Sequence, residues 1–131
     1  VAVAFDETTR RILDGRNFAT VATVNPDGSP HSSVVWMTRE GDTILFSSLA
    51  RRRKIRNLVR DPRISVSVFE VENPYNSVDI RGTAELVEDT AKTMPDVLSR
   101  KYLGTDAPPE PDEELRYTVR VIPEKVTNFS V

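Results

Sequence analysis

The chain has 131 residues, a net charge of −2 at pH 7, a single histidine and no cysteine. That length suits one domain, residues 1–131, with a real core but near the size at which a partner subunit helps. Lack of cysteine excludes disulfides, thiolate metal sites and cysteine nucleophiles, and the slightly acidic balance argues against a dedicated nucleic-acid binder.

Asp6 to Leu13 reads as a short helix, capped by Asp6 and ended by Gly15. Phe18 to Val24 is a strand rich in β-branched residues. It breaks at Asn25-Pro26-Asp27-Gly28, a hairpin signal, and Ser29 to Thr38 returns as the second strand. A turn over 39–42 leads to a third strand, Thr43 to Ser47. From about Leu49 to Arg60 a basic helix is predicted, seated by Ile55, Leu58 and Val59, with Arg52, Arg56 and Arg60 toward solvent.

Asp61-Pro62 stops that helix, and Arg63 to Glu72 reads as a fourth strand. After a connector over 72–76, Val78, Ile80, Gly82, Ala84 and Leu86 share one face of a long fifth strand, where Gly82 relieves crowding. Asp89 to Tyr102 is a second amphipathic helix, continuous from near Pro95. The acidic, proline-rich 104–114 stretch is expected to be a mobile surface loop. Tyr117 to Val121 and Lys125 to Val131 close the chain as strands around a Pro123-Glu124 bend. Tight turns and a weak βαβ rhythm predict a mainly-β antiparallel barrel with short flanking helices.

Chemistry concentrates between Phe46 and Arg63. Arg51, Arg52, Arg53, Lys54, Arg56, Arg60 and Arg63 set seven positive charges against Asp61 alone. Ser47 and Ser48, between strand and helix, offer capping hydroxyls, and with the first helical amides and the basic side chains they form a candidate phosphate receptor. A solvated helix face is the plainer alternative. An RNA surface is a third, weakened by the lack of aromatics on an exposed strand face. Elsewhere the classical catalysts are missing. His31, placed as a simple surface residue, has no companions at ligand spacing, so no metal is expected. Neither G-x-S-x-G, G-x-G-x-x-G nor a P-loop occurs, and no catalytic side chain is assigned.

Several motifs in order carry a likeness: T-x-N-x-D-G-x-P from Thr23 to Pro30, SSVVWM from Ser32, FSS from Phe46, RRKIRNLVRDPR from Arg52, NPY from Asn73 and VDIRGTAEL from Val78. Together they resemble the pyridoxamine-phosphate-oxidase-like superfamily, and within it the branch that uses the deazaflavin coenzyme F420. The resemblance implies a split β-barrel, homodimeric, with the cofactor in a groove between subunits. It puts Lys54, Arg53, Ser47 and Ser48 at the cofactor phosphate and Ser33, Val34, Val35 and Trp36 along the ring. It brings Asn73, Tyr75 and Asn76 from the loop after the fourth strand. The function so implied is hydride transfer between F420 and a conjugated or unsaturated small organic substrate. An FMN-binding oxidoreductase of the same fold and a non-catalytic flavin or deazaflavin carrier remain the alternatives.

No apolar run reaches membrane-spanning length, and the opening VAVAFDE lacks a secretory pattern. A cytoplasmic protein is therefore expected, without membrane or nucleic-acid partners.

Overall fold

The computed structural model describes residues 3–130. Its elements run α1 (Glu7–Asp14), β1 (Ala19–Val24), β2 (Pro30–Val35), β3 (Thr38–Glu40), β4 (Thr43–Leu49), α2 (Arg53–Arg60), β5 (Arg63–Glu70), β6 (Asn73–Glu88), α3 (Thr93–Leu103) and β7 (Arg116–Phe129). The seven strands form one sheet, in the order β2-β1-β5-β6-β7-β4-β3, with antiparallel neighbours throughout.

This sheet is open, which corrects the split-barrel expectation. β2 and β3 are its two edges, and no ladder joins them among the described residues. The reason lies at Trp36 and Met37, which separate these strands. There the Met37 N–H donates to the Tyr102 hydroxyl at 3.3 Å, and the Met37 carbonyl accepts from the Lys101 ammonium at 2.8 Å. Side chains of α3 thus occupy backbone groups that a further strand would need. Alternation and tight turns specify antiparallel pairing; they do not specify that the edges meet.

Sequence chemistry sets the local elements. Asp6 caps α1 by accepting from the Thr9 N–H at 2.8 Å, and the chain turns at Gly15. Gly28, at φ 88°, completes the β1–β2 turn, where its N–H donates to the Asn25 carbonyl at 2.9 Å. β6 begins already at Asn73, inside the expected connector. The two closing strands are one, because Pro123 pairs with Gly82 where the register shifts after Arg81. A Cβ on Gly82 would lie 2.0 Å from the Ile122 carbonyl oxygen, so the backbones approach as only glycine permits. The crowding expected there is real, though the sheet is open. The final expected strand residue, Val131, lies outside the described residues.

Helices α1 and α2 cover one face of the sheet. Phe5, Ile12, Leu13, Ile55 and Leu58 bury against Val21, Val66, Val68, Val78, Ile80 and Val121. Each such side chain contributes about 1.5–3 kcal/mol relative to exposure. Val59, expected in this seam, is 71% exposed. Asn57 is buried instead, donating through Nδ2 to Thr23 Oγ1 and Asn25 Oδ1, both at 3.0 Å. These bonds turn the polar face of α2 toward the β1–β2 turn and leave Val59 outside. The helix also starts later than predicted. Ser47, Ser48 and Leu49 pair with Thr118, Tyr117 and Arg116, and this ladder holds the segment extended until Arg53.

Candidate functional site

A cavity of about 510 Å³ opens between the end of β2, the end of β4, the start of α2 and α3. β2 and the residue after it bring Val34, Val35 and Trp36; β4 brings Ser47, Ser48 and Leu49. Arg52 and Lys54 form its basic end, and Leu98 and Leu103 of α3 form an apolar wall. A larger cavity, about 690 Å³, flanks the β1–β2 turn between Val24, Pro30, Arg63, Arg81 and Lys125, and contains none of the predicted site residues.

Six predicted residues therefore meet around one space: Val34, Val35, Trp36, Ser47, Ser48 and Lys54. Five do not line it. Arg53 is exposed on the first turn of α2. Ser33 points to the core side of β2, where its hydroxyl is buried without a hydrogen-bond partner. Asn73, Tyr75 and Asn76 lie at the β5–β6 hairpin, where Asn76 donates to Glu70 at 3.0 Å and Glu70 pairs with Arg11 at 3.3 Å. His31 is not a plain surface residue, since it is half-buried and its Nδ1 is enclosed without a partner.

The serines do not cap α2. Arg52 occupies the N-cap position with no side-chain bond. Ser48 donates to the Leu49 carbonyl at 3.2 Å, and Ser47 accepts from Arg116 at 3.0 Å. Among the described residues, the Arg53 and Lys54 amides have no backbone partner, as the first turn of a helix requires.

Lys54 is the electrostatic centre of the cavity. It is half-buried and forms neither ion pair nor hydrogen bond with any described residue. Burial, and secondarily the neighbouring Arg52 charge, holds its ammonium below the usual lysine range. An anionic group beside Lys54 would relieve both effects. Among the described residues, no three histidine, aspartate or glutamate side chains are grouped to hold a metal ion.

Sequence reasoning missed what α3 and β7 supply. Tyr102 stacks on Trp36 with ring centroids 5.1 Å apart and planes 8° from parallel, and Phe18 stacks on Tyr102 at 5.6 Å. The Tyr102 hydroxyl donates to the Asn17 carbonyl. Arg116 joins the cavity wall from β7, and Ala107 and Pro108 join it from the 104–114 loop. That loop is tied down rather than loose: the Ala107 N–H donates to Asp96 at 2.9 Å, and Arg116 holds Glu110. Amphipathic spacing signals α3 as a helix, but nothing local signals which strand it covers.

One basic end, two hydroxyls, an aromatic flank and an apolar wall make a donor set that fits an anionic molecule with a flat ring. Known proteins of this fold bear on the point. A solved F420 reductase is 28% identical, with 94% of this chain covering 98% of that one at a TM-score of 0.86. A conserved hypothetical protein from Mycobacterium tuberculosis is 23% identical, covering 98% and 86% at 0.79. General stress protein 26 from Bacillus anthracis is 17% identical, covering 94% and 92% at 0.72. At these identities the last two likenesses concern the fold alone. The family itself is given by residues 5–129, nearly the whole chain and every strand of the sheet: they match pyridoxamine 5'-phosphate oxidase, and the protein belongs to that family.

Proposed function

We propose that the Lys54 cavity binds the deazaflavin coenzyme F420, and that the protein is an oxidoreductase moving hydride between F420 and a conjugated or unsaturated small organic substrate. The observation that carries this reading is the unpartnered, half-buried Lys54 at one end of an aromatic and apolar cavity. Similarity to an F420 reductase over nearly the full length of both chains supports the deazaflavin in particular.

When bound, the coenzyme supplies the hydride chemistry, which is why the chain needs no nucleophile of its own. The protein's part is to bind, orient and exclude water. Lys54 meets the phosphate with a charge-assisted bond, joined by the free amides at the start of α2 and by the Ser47 and Ser48 hydroxyls, while the exposed Arg53 side chain adds positive charge from outside the cavity. Val34, Val35 and Trp36 flank the ring, with Ser33 behind them and Trp36 held flat by Tyr102. Leu98 and Leu103 keep water from the ring's other surroundings. Asn73, Tyr75 and Asn76 lie away from this cavity, and in this reading they reach the cofactor of a second copy in a homodimer.

Anaerobic mixing of the protein with reduced F420 and a panel of enones and quinones tests the proposal. Acceptor-dependent reoxidation of the coenzyme is expected. Binding without reoxidation by any acceptor would make the protein a carrier, and turnover with reduced FMN alone would transfer the site to the flavin.

A further inference from the structure

Arg116 stands in a wall shared by two cavities. Beside the Lys54 cavity lies a second, about 580 Å³, between the start of α3 and the 104–114 loop. The two have Pro95, Ala107, Pro108 and Arg116 in common. The guanidinium donates through Nη1 to Ser47 at 3.0 Å, while Nε and Nη2 grip the Glu110 carboxylate at 2.8 and 3.0 Å. Lys92 Nζ lies 3.5 Å from the same carboxylate.

This pair differs from the other basic groups of the site. The Arg116 and Glu110 side chains are only 17% and 22% exposed, so the bidentate contact is screened little by water. Lys54 has no such partner. The cavity therefore has three cations in its walls: Arg52 and Lys54, at its basic end, are available to a ligand, and Arg116 is already neutralised from within the chain. The hydrogen bond from Arg116 also lowers the Glu110 pKa, so the counter-charge stays in place at neutral pH.

We infer that Glu110 is a built-in counter-anion that withholds Arg116 from ligands, so that the cavity accepts a molecule with one anionic end at Lys54 and discriminates against one with a second anionic group at the Arg116 wall. Glu110 is in this sense a specificity-determining residue, although it sits on a loop. The inference rests on reading the Lys54 cavity as an anion site, but not on the identity of the coenzyme. Other ties hold the loop when the Glu110 charge is removed: Ala107 to Asp96, Arg100 to Asp106 at 2.5 Å and Arg51 to Glu114 at 3.7 Å.

Glu110→Gln removes the charge and keeps the shape and the acceptor oxygen. Calorimetric titration with inorganic pyrophosphate, at fixed ionic strength, reads the consequence. The variant should bind pyrophosphate about fivefold more tightly than the wild type. That gain should vanish in Glu110→Gln/Arg116→Gln. Equal affinity in wild type and Glu110→Gln would overturn the inference, as would a gain that survives loss of Arg116. Hydrogen exchange at the Ala107 amide is the control for folding of the loop. Unchanged protection is expected, and lost protection would mean that an opened loop, not a freed Arg116, accounts for the gain. Failure of the F420 reading leaves these outcomes unaffected, because pyrophosphate carries no ring.

Discussion

The Trp36 indole and the Tyr102 ring lie face to face, 5.1 Å apart and within 8° of parallel, joining the end of β2 to α3 at the edge of the cavity. Tyr102 also anchors itself, since its hydroxyl donates to Asn17 and accepts from the Met37 N–H. One side chain thus fixes both the ring that flanks the cavity and the corner between the two sheet edges.

Tyr102→Phe should keep the stack and lose the hydroxyl bonds, at a cost of about 1–2 kcal/mol in unfolding free energy. Tyr102→Leu should lose both, and Trp36 emission should shift to the red as the indole gains water. Denaturant unfolding and emission spectra separate the two variants. A leucine variant with unshifted emission would mean that Trp36 is held by something other than the stack.

Lys101 gives stability a specific pH dependence. Its ammonium donates to the Leu13 and Met37 carbonyls at 2.9 and 2.8 Å, and burial brings its pKa down to about 8. A neutral amine still has two N–H groups for those two carbonyls. Unfolding returns the group to about 10.4, so between these values the unfolded chain binds more protons and stability rises with pH. Below about 8 both states are protonated and the burial penalty is fully present. With partial exposure allowed for, the gain from pH 7.5 to 9.5 should be about 1 kcal/mol. It should be absent in Lys101→Met, as comparison of denaturant midpoints at the two pH values will show.

Gly82 should tolerate no side chain. Its virtual Cβ meets the Ile122 carbonyl oxygen at 2.0 Å and the carbonyl carbon at 2.9 Å, both backbone atoms of the paired strand. Gly82→Ala must therefore part β6 from β7 at the bulge, with an expected loss of about 3 kcal/mol or more. Thermal melting measures it. A melting temperature like that of the wild type would mean that the bulge can slip.

Anion binding at Lys54 should fade in alkali. Ligand affinity depends on the charged amine, and burial lowers its pKa, so affinity should be constant at low pH and fall as pH rises through that lowered value. Lys54→Arg keeps its charge and should hold its affinity over the same range. Titrations with F420 at neutral and alkaline pH distinguish the two.

Much of this fold is legible in short-range chemistry. Asp6, the Asn25-to-Gly28 turn and the alternation from Val78 to Leu86 each act within a few residues, and each element stands where they put it. What escaped depends on distant partners. The β4 ladder with Arg116 delays α2, Asn57 displaces Val59 because Thr23 and Asn25 await it, and α3 side chains satisfy Met37 where a barrel would have closed. The site divides the same way. Ser47, Ser48 and Lys54 are adjacent to a readable helix start, whereas Tyr102 and Arg116 reach the cavity through packing that no local pattern encodes. Ser33 shares a face of β2 with Val35 but lies two residues further from the cavity, and its hydroxyl is enclosed there.

Trp36 is the chain's only tryptophan and it lines the cavity, so its emission reports on occupancy directly. The most direct measurement is a titration of the cofactor-free protein with oxidised F420, and in parallel with FMN, in wild type and Lys54→Ala. Saturable quenching by F420 is predicted, tighter than with FMN and weakened about tenfold by loss of the ammonium. Emission that responds to neither compound, or F420 affinity that is unchanged in Lys54→Ala, would contradict the assignment of this cavity as the coenzyme site.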